Sequence, residues 1–128
     1  MVLVAAAAMG LLLVQAGEAS AVPLAVPHVV SISPADGSTI PSGPFDLTVT
    51  FDRPMLAGSY SFVRVSPATF PDCQPNARLS QDRTSYTMRC TAVAGRVYEV
   101  WFNRPPYMNF KSAEGISAQP SRTRFRAR

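Results

Sequence analysis

The sequence is short of the residues that most active sites need. It has one histidine and two cysteines. A Ser-His or Cys-His nucleophile would have to use His28, which stands at the start of the first strand pattern rather than beside a pocket. One cysteine pair cannot supply the four ligands of a structural zinc site, and the C-x-x-C spacing of thiol redox proteins is absent. No apolar run reaches the roughly 20 residues that cross a bilayer. No window shows the 3.6-residue period of an amphipathic helix, and no internal repeat occurs. Paired carboxylates for glycoside hydrolysis leave no signal, because the acidic residues fall mostly in turns. A non-catalytic protein without a cofactor is expected.

What is present begins with MVLVAAAAMGLLLVQAGEASA, apolar from Val2 to Val14 and small and polar towards Ala19-Ser20-Ala21. The stretch resembles a secretory signal with an A-x-A cleavage site, although no Lys or Arg precedes the apolar run. We therefore expect a signal peptide over 1–21, a proline-marked lead-in over 22–28 and one domain over 29–128. Cleavage leaves 107 of the 128 residues, enough for a single core. The expected location is the periplasm or the cell exterior. An even cysteine count in such an oxidising compartment favours a Cys73–Cys90 disulfide, which would contribute about 3 kcal/mol by loop closure.

The domain reads as strands. In FDLTVTF, residues 45–51, Phe45, Leu47, Val49 and Phe51 alternate with Asp46, Thr48 and Thr50, the period of a half-buried strand. Pro54, lacking an N–H, stops it. HVVSIS (28–33), SYSFVRVS (59–66), a short piece at 77–80, SYTMRCTA (85–92), RVYEVWFN (96–103) and SRTRFRAR (121–128) read as further strands. Bulky residues on both faces place 96–103 centrally, with Trp101 in the core. RPPYMNFKSAEGISAQP is an irregular crossing. Asp36, Asp52 and Asp82 are expected to accept hydrogen bonds within their own turns. Seven short strands with turn signals between them predict an all-β, antiparallel β-sandwich of immunoglobulin type.

SISPADGSTI, LTVTFDRPM, LSQDRTSYTM, AGRVYEVWFN, NFKSAEG and the final RTRFRAR occur in an order that resembles the SbsA-type bacterial Ig-like domain of surface-layer and other cell-envelope proteins. The resemblance covers roughly residues 29 to 127. It implies an Ig-like sandwich acting as spacer, stalk or accessory module, with no catalytic residues to carry over. It also implies that the Tyr98 hydroxyl ties its strand to the preceding loop. Ala94, in place of the family's usual proline, and the cysteine pair are departures. HVVSISPADGS and LTVTF are also similar to the opening of periplasmic copper carriers of the CopC type. That alternative rests on His28 alone, because the second histidine of that family is missing and Cu(II) needs several N/O ligands.

Charge supplies the remaining expectation. Arginine accounts for eleven of the 12 basic residues against 8 acidic ones, and loss of Glu18 with the signal raises the formal charge from +4 to +5. Nucleic acid is the first partner such a balance suggests, but an exported protein meets anionic lipid, anionic glycan or acidic envelope protein first. Arg122, Arg124, Arg126 and Arg128 alternate with Thr123, Phe125 and Ala127. With Arg104 and Lys111 possible neighbours, the candidate binding residues are Arg104, Lys111, Arg122, Arg124 and Arg126. The competing explanation is that charge on an edge strand deters sheet-to-sheet association. Trp101, Tyr107 and Phe110 form a conceivable sugar-stacking platform.

Overall fold

The computed structural model describes residues 24–128. The expected signal peptide and the first two residues of the lead-in lie outside that range. Nine strands follow in order: β1 Val29–Ser33, β2 Thr39–Ile40, β3 Gly43–Phe51, β4 Phe62–Arg64, β5 Asp72–Cys73, β6 Arg78–Leu79, β7 Ser85–Ala92, β8 Val97–Phe102 and β9 Ser121–Ala127. The described residues include one 3-10 turn, Pro67–Thr69, and no α-helix. Strands β1, β3 and β7 form one sheet, with β5 and β6 both paired to the far side of β7. The second sheet has the order β2-β9-β8-β4. All pairings are antiparallel except β2 with β9, which is parallel.

Period-two patterning dictates which face each strand buries. Leu47, Val49 and Phe51 of β3 and Tyr86, Met88 and Cys90 of β7 point inward. They meet Val100 and Phe102 of β8 in one apolar cluster, so the sheets pack face to face as a β-sandwich-like pair. On the outer face of the first sheet, hydroxyls pair across strands: Thr48 with Thr87 at 2.9 Å and Thr50 with Ser85 at 2.7 Å. At the other end of the core, Tyr98, Phe125, Ala92 and Ala127 form a second cluster. The Tyr98 hydroxyl accepts the Val93 N–H at 2.8 Å, tying β8 to the loop before it.

Nine segments replace the seven expected strands, for local reasons. After the turn at Pro34-Ala35-Asp36-Gly37 comes a short strand not expected from the sequence, β2, which joins the opposite sheet from β1. Gly37 carries φ +82°, which suits glycine, and its N–H donates to the Arg124 carbonyl at 2.7 Å. The proline-rich stretch 67–76, where no strand was expected, adds the two-residue β5; the expected piece at 77–80 contributes the two residues of β6, and 59–66 contributes three strand residues rather than eight. Strand β8 is central, as expected. Strand β9 is not a sheet edge: β8 lies along one side and residues 37–42 bond to the other.

Cys73 and Cys90 face each other across β5 and β7 and are disulfide-bonded. With the bridge 17 residues apart in sequence, replacing both cysteines by alanine is expected to cost about 3 kcal/mol. Urea unfolding of the oxidised parent and the double variant checks this, and equal midpoints would refute it.

The crossing after β8 is less irregular than its composition suggests. Phe110 is fully buried, with its ring centroid 5.3 Å from that of Phe51, 5.1 Å from Phe62 and 5.5 Å from Tyr86. Asn103 is also fully buried and adopts φ 64°. Its Nδ2 donates to the carbonyls of Phe110 at 3.0 Å and Ala118 at 2.9 Å, and its Oδ1 accepts the Phe110 N–H at 2.8 Å. One side chain thus organises the whole crossing.

Candidate functional site

Alternation in β9 places Thr123, Phe125 and Ala127 in the core and Arg122, Arg124 and Arg126 on the outer face of the second sheet. The antiparallel register sets each arginine against a β8 residue: Arg122 opposite Trp101, Arg124 opposite Glu99, Arg126 opposite Val97. Trp101 is therefore half-buried on the outer face, not in the core, because Val100 and Phe102 already fill the inward positions of β8. The Arg104 guanidinium lies 5.1 Å from the Trp101 ring centroid, a cation–π arrangement. The Trp101 Nε1–H donates to Glu99 Oε2 at 2.9 Å.

Two of the arginines have acidic neighbours. Arg124 Nε lies 3.4 Å from Glu99 Oε1, and Arg122 Nη1 lies 3.7 Å from Asp36 Oδ1. Both separations exceed the 2.7–2.9 Å typical of a charge-assisted hydrogen bond, so the guanidinium donors stay open to other acceptors. Among the described residues Arg126 has no ion pair within 4 Å. The row borders an open groove of about 440 Å³ whose other wall is Asp36, Gly37, Ser38 and Thr39.

The five candidate residues divide. Arg104, Arg122, Arg124 and Arg126 belong to one face, linked through Trp101. Lys111 belongs to the crossing, where it bridges to Ser117 and its carbonyl accepts the Leu56 N–H at 2.9 Å. The aromatic platform does not form: Phe110 is core and Trp101 is covered by Arg104, leaving Tyr107 as the exposed member. Glu99 and Asp36 were not singled out in sequence for this face, although the period of β8 puts Glu99 on the same side as Trp101.

Of the three turn aspartates, Asp82 serves its own turn, accepting from the Ser80 hydroxyl at 2.6 Å and the Thr84 N–H at 3.1 Å. These bonds hold its carboxyl below the ordinary range. Asp36 accepts the Arg124 N–H at 2.9 Å, and Asp52 accepts the His28 N–H at 3.0 Å, so both tie remote segments together. Hydrogen bonds from the Arg53 guanidinium, then from the His28 N–H, hold the Asp52 carboxyl well below the usual carboxylate range.

A depressed folded-state pKa contributes stability above the ordinary aspartate value of about 4, and this contribution is lost as pH falls from there through the folded value. Asp52→Asn is therefore expected to show a shallower loss of melting temperature between about pH 5 and pH 2 than the parent. Parallel acid limbs in thermal scans would refute this. His28, on which the copper alternative turns, is 66 % exposed, with Nδ1 3.5 Å from Asp52 Oδ2. Among the described residues, no three His, Cys, Asp or Glu side chains gather where a metal ion could sit.

Fold and site together define an all-β, disulfide-bonded protein with a basic outer sheet face. Comparison of the chain with protein-family models and with curated proteins returns no match.

Proposed function

We propose that this is an exported, non-catalytic Ig-like module of the SbsA type, with a structural or interaction role at the cell envelope. The observation that carries the reading is the strand order. Taking β1, β3 and β7 as A, B and E, and β5 with β6 as a broken D, the first sheet follows the immunoglobulin order A-B-E-D. Taking β4, β8 and β9 as C, F and G, the second follows C-F-G, with β2 the part of A that crosses between sheets. On this accounting the nine segments reduce to seven strands. The Tyr98 tie supports the assignment, since it resembles the tyrosine corner of such sandwiches. The Cys73–Cys90 bridge supports an oxidising compartment. The arginine face gives the module a surface for an envelope protein or an anionic glycan.

The test is fractionation of bacterial cells producing the full chain, followed by mass spectrometry of the recovered protein. Recovery outside the cytoplasm, cut after Ala21 and oxidised, is expected. Full-length, reduced protein confined to the cytoplasm would sink the envelope reading.

A further inference from the structure

The outer face of β8 and β9 carries more than positive charge. Arg122, Arg124 and Arg126 recur every second residue, so their Cα atoms are spaced at about 6.7 Å along a line. Beside this row of donors stand acceptors: Glu99 opposite Arg124, and Asp36 near Arg122. Hydroxyls complete the groove wall at Ser38 and Thr39. The Ser38 Oγ is shielded from solvent and has no hydrogen-bond partner among the described residues. The face thus offers cationic donors, anionic acceptors and the hydroxyl of exposed Thr39 side by side.

That mixture discriminates among anionic partners. Single-stranded nucleic acid needs successive aromatic faces for its bases, and the one aromatic ring opposite the row, Trp101, lies under Arg104. An anionic membrane surface is drawn to clusters of about four to eight Lys or Arg, whereas here three arginines stand beside the carboxylates of Glu99 and Asp36. A plain polyanion such as a polyglutamate segment would gain from the arginines but be repelled by Glu99 and Asp36. A ligand whose anionic groups accept from arginine while its hydroxyls donate to carboxylate uses both.

We infer that the groove between the 36–39 segment and the arginine row, together with Glu99 on the β8 side of that row, binds an acidic polysaccharide, its sugar carboxylates on Arg122, Arg124 and Arg126 and its hydroxyls on Asp36 and Glu99. This assignment rests on the interaction role proposed above and names the partner for that surface. Arg126, without an ion pair among the described residues, makes the first contact.

The test is direct binding of the whole oxidised protein at low ionic strength to polygalacturonate, with neutral dextran, poly-L-glutamate, phosphatidylglycerol vesicles and single-stranded DNA as comparators. Polygalacturonate is expected to bind more tightly than each of the others. The double variant Arg122→Gln, Arg126→Gln should weaken it about tenfold or more, the loss of charge-assisted bonds. Glu99→Gln gives the sharper reading. It should weaken polygalacturonate, whereas attraction of a plain polyanion would be strengthened by removal of that negative charge. Unchanged melting temperatures in these variants tie the effect to the face rather than to folding. Equal or tighter binding of any comparator, tighter polygalacturonate binding by the Glu99 variant, or no binding of polygalacturonate would overturn the assignment. An exported protein that ignores polygalacturonate loses the glycan alone, whereas failure of export loses the envelope reading.

Discussion

Replacing Phe110 by alanine is expected to destabilise the protein by about 4 kcal/mol, within the range for a large aromatic removed from a packed core, and to lower the melting temperature by roughly 20 °C. The ring is fully buried where both sheets and the crossing meet, touching Phe51 of β3, Tyr86 of β7, Phe62 of β4 and Phe102 of β8. Its loss costs transfer of the ring to water, the cavity left behind and edge-on aromatic contacts worth about 0.5–1.5 kcal/mol each. Phe110→Leu should recover about half by refilling volume without the ring geometry. Urea unfolding with near-UV circular dichroism measures both variants. A change below about 1 kcal/mol for alanine would mean that the crossing does not belong to the core.

The second large effect is expected at Asn103. Alanine there removes three hydrogen bonds inside the protein and leaves the Phe110 N–H and Ala118 carbonyl without their side-chain partner. It also places a non-glycine, non-asparagine residue at φ 64°. Together these cost about 3 kcal/mol. Asn103→Gly relieves the backbone and not the bonds, so the difference between the two variants isolates the conformational part. Asn103→Asp has a distinct signature. It keeps the acceptor but turns a buried carboxyl towards two carbonyls, which raises its folded pKa above the unfolded value. That variant is expected to lose stability progressively as pH rises above about 4, the opposite slope to the acid limb assigned to Asp52. A pH-independent deficit would refute the burial argument.

These two residues mark where sequence patterning stops. Strand β7 has the expected bounds, 85–92, because its alternation is unbroken and both flanks are turns. Strand β3 begins two residues before the expected start, since Gly43 and Pro44 pair with Ala92 and Thr91 without contributing to the period. The outward row on β9 was legible for the same reason as the strands: period two assigns faces without any knowledge of neighbours. What sits opposite a row is a matter of register, and register is set by pairing across the chain. Asp36 reaches Arg124 from 88 residues away, and no local pattern encodes that. Trp101 was expected inside because bulky residues occupy both faces of β8, and only the packed sheet decides which face faces water. Phe110 lies in a stretch without period, and Asn103 ends the expected strand 96–103 where period two points outward with Trp101, so the burial of both is a tertiary fact with no local signature. The disulfide, by contrast, was expected from an even cysteine count joined to the expectation of export.

The pairing of β2 with β9 has a mechanical consequence. Strand β2 runs parallel to β9, and four backbone hydrogen bonds join residues 37–42 to residues 124–128: Gly37 N–H to Arg124 O, Arg126 N–H to Ser38 O, Arg128 N–H to Ile40 O and Ser42 N–H to Arg128 O. Tension applied between the two ends of the folded part pulls these parallel segments in opposite directions along their length. The bonds are then strained side by side in shear rather than opened one after another like a zipper. A domain assembled this way resists stretching through this seam, and β4 and the β5–β6 flank lie outside it.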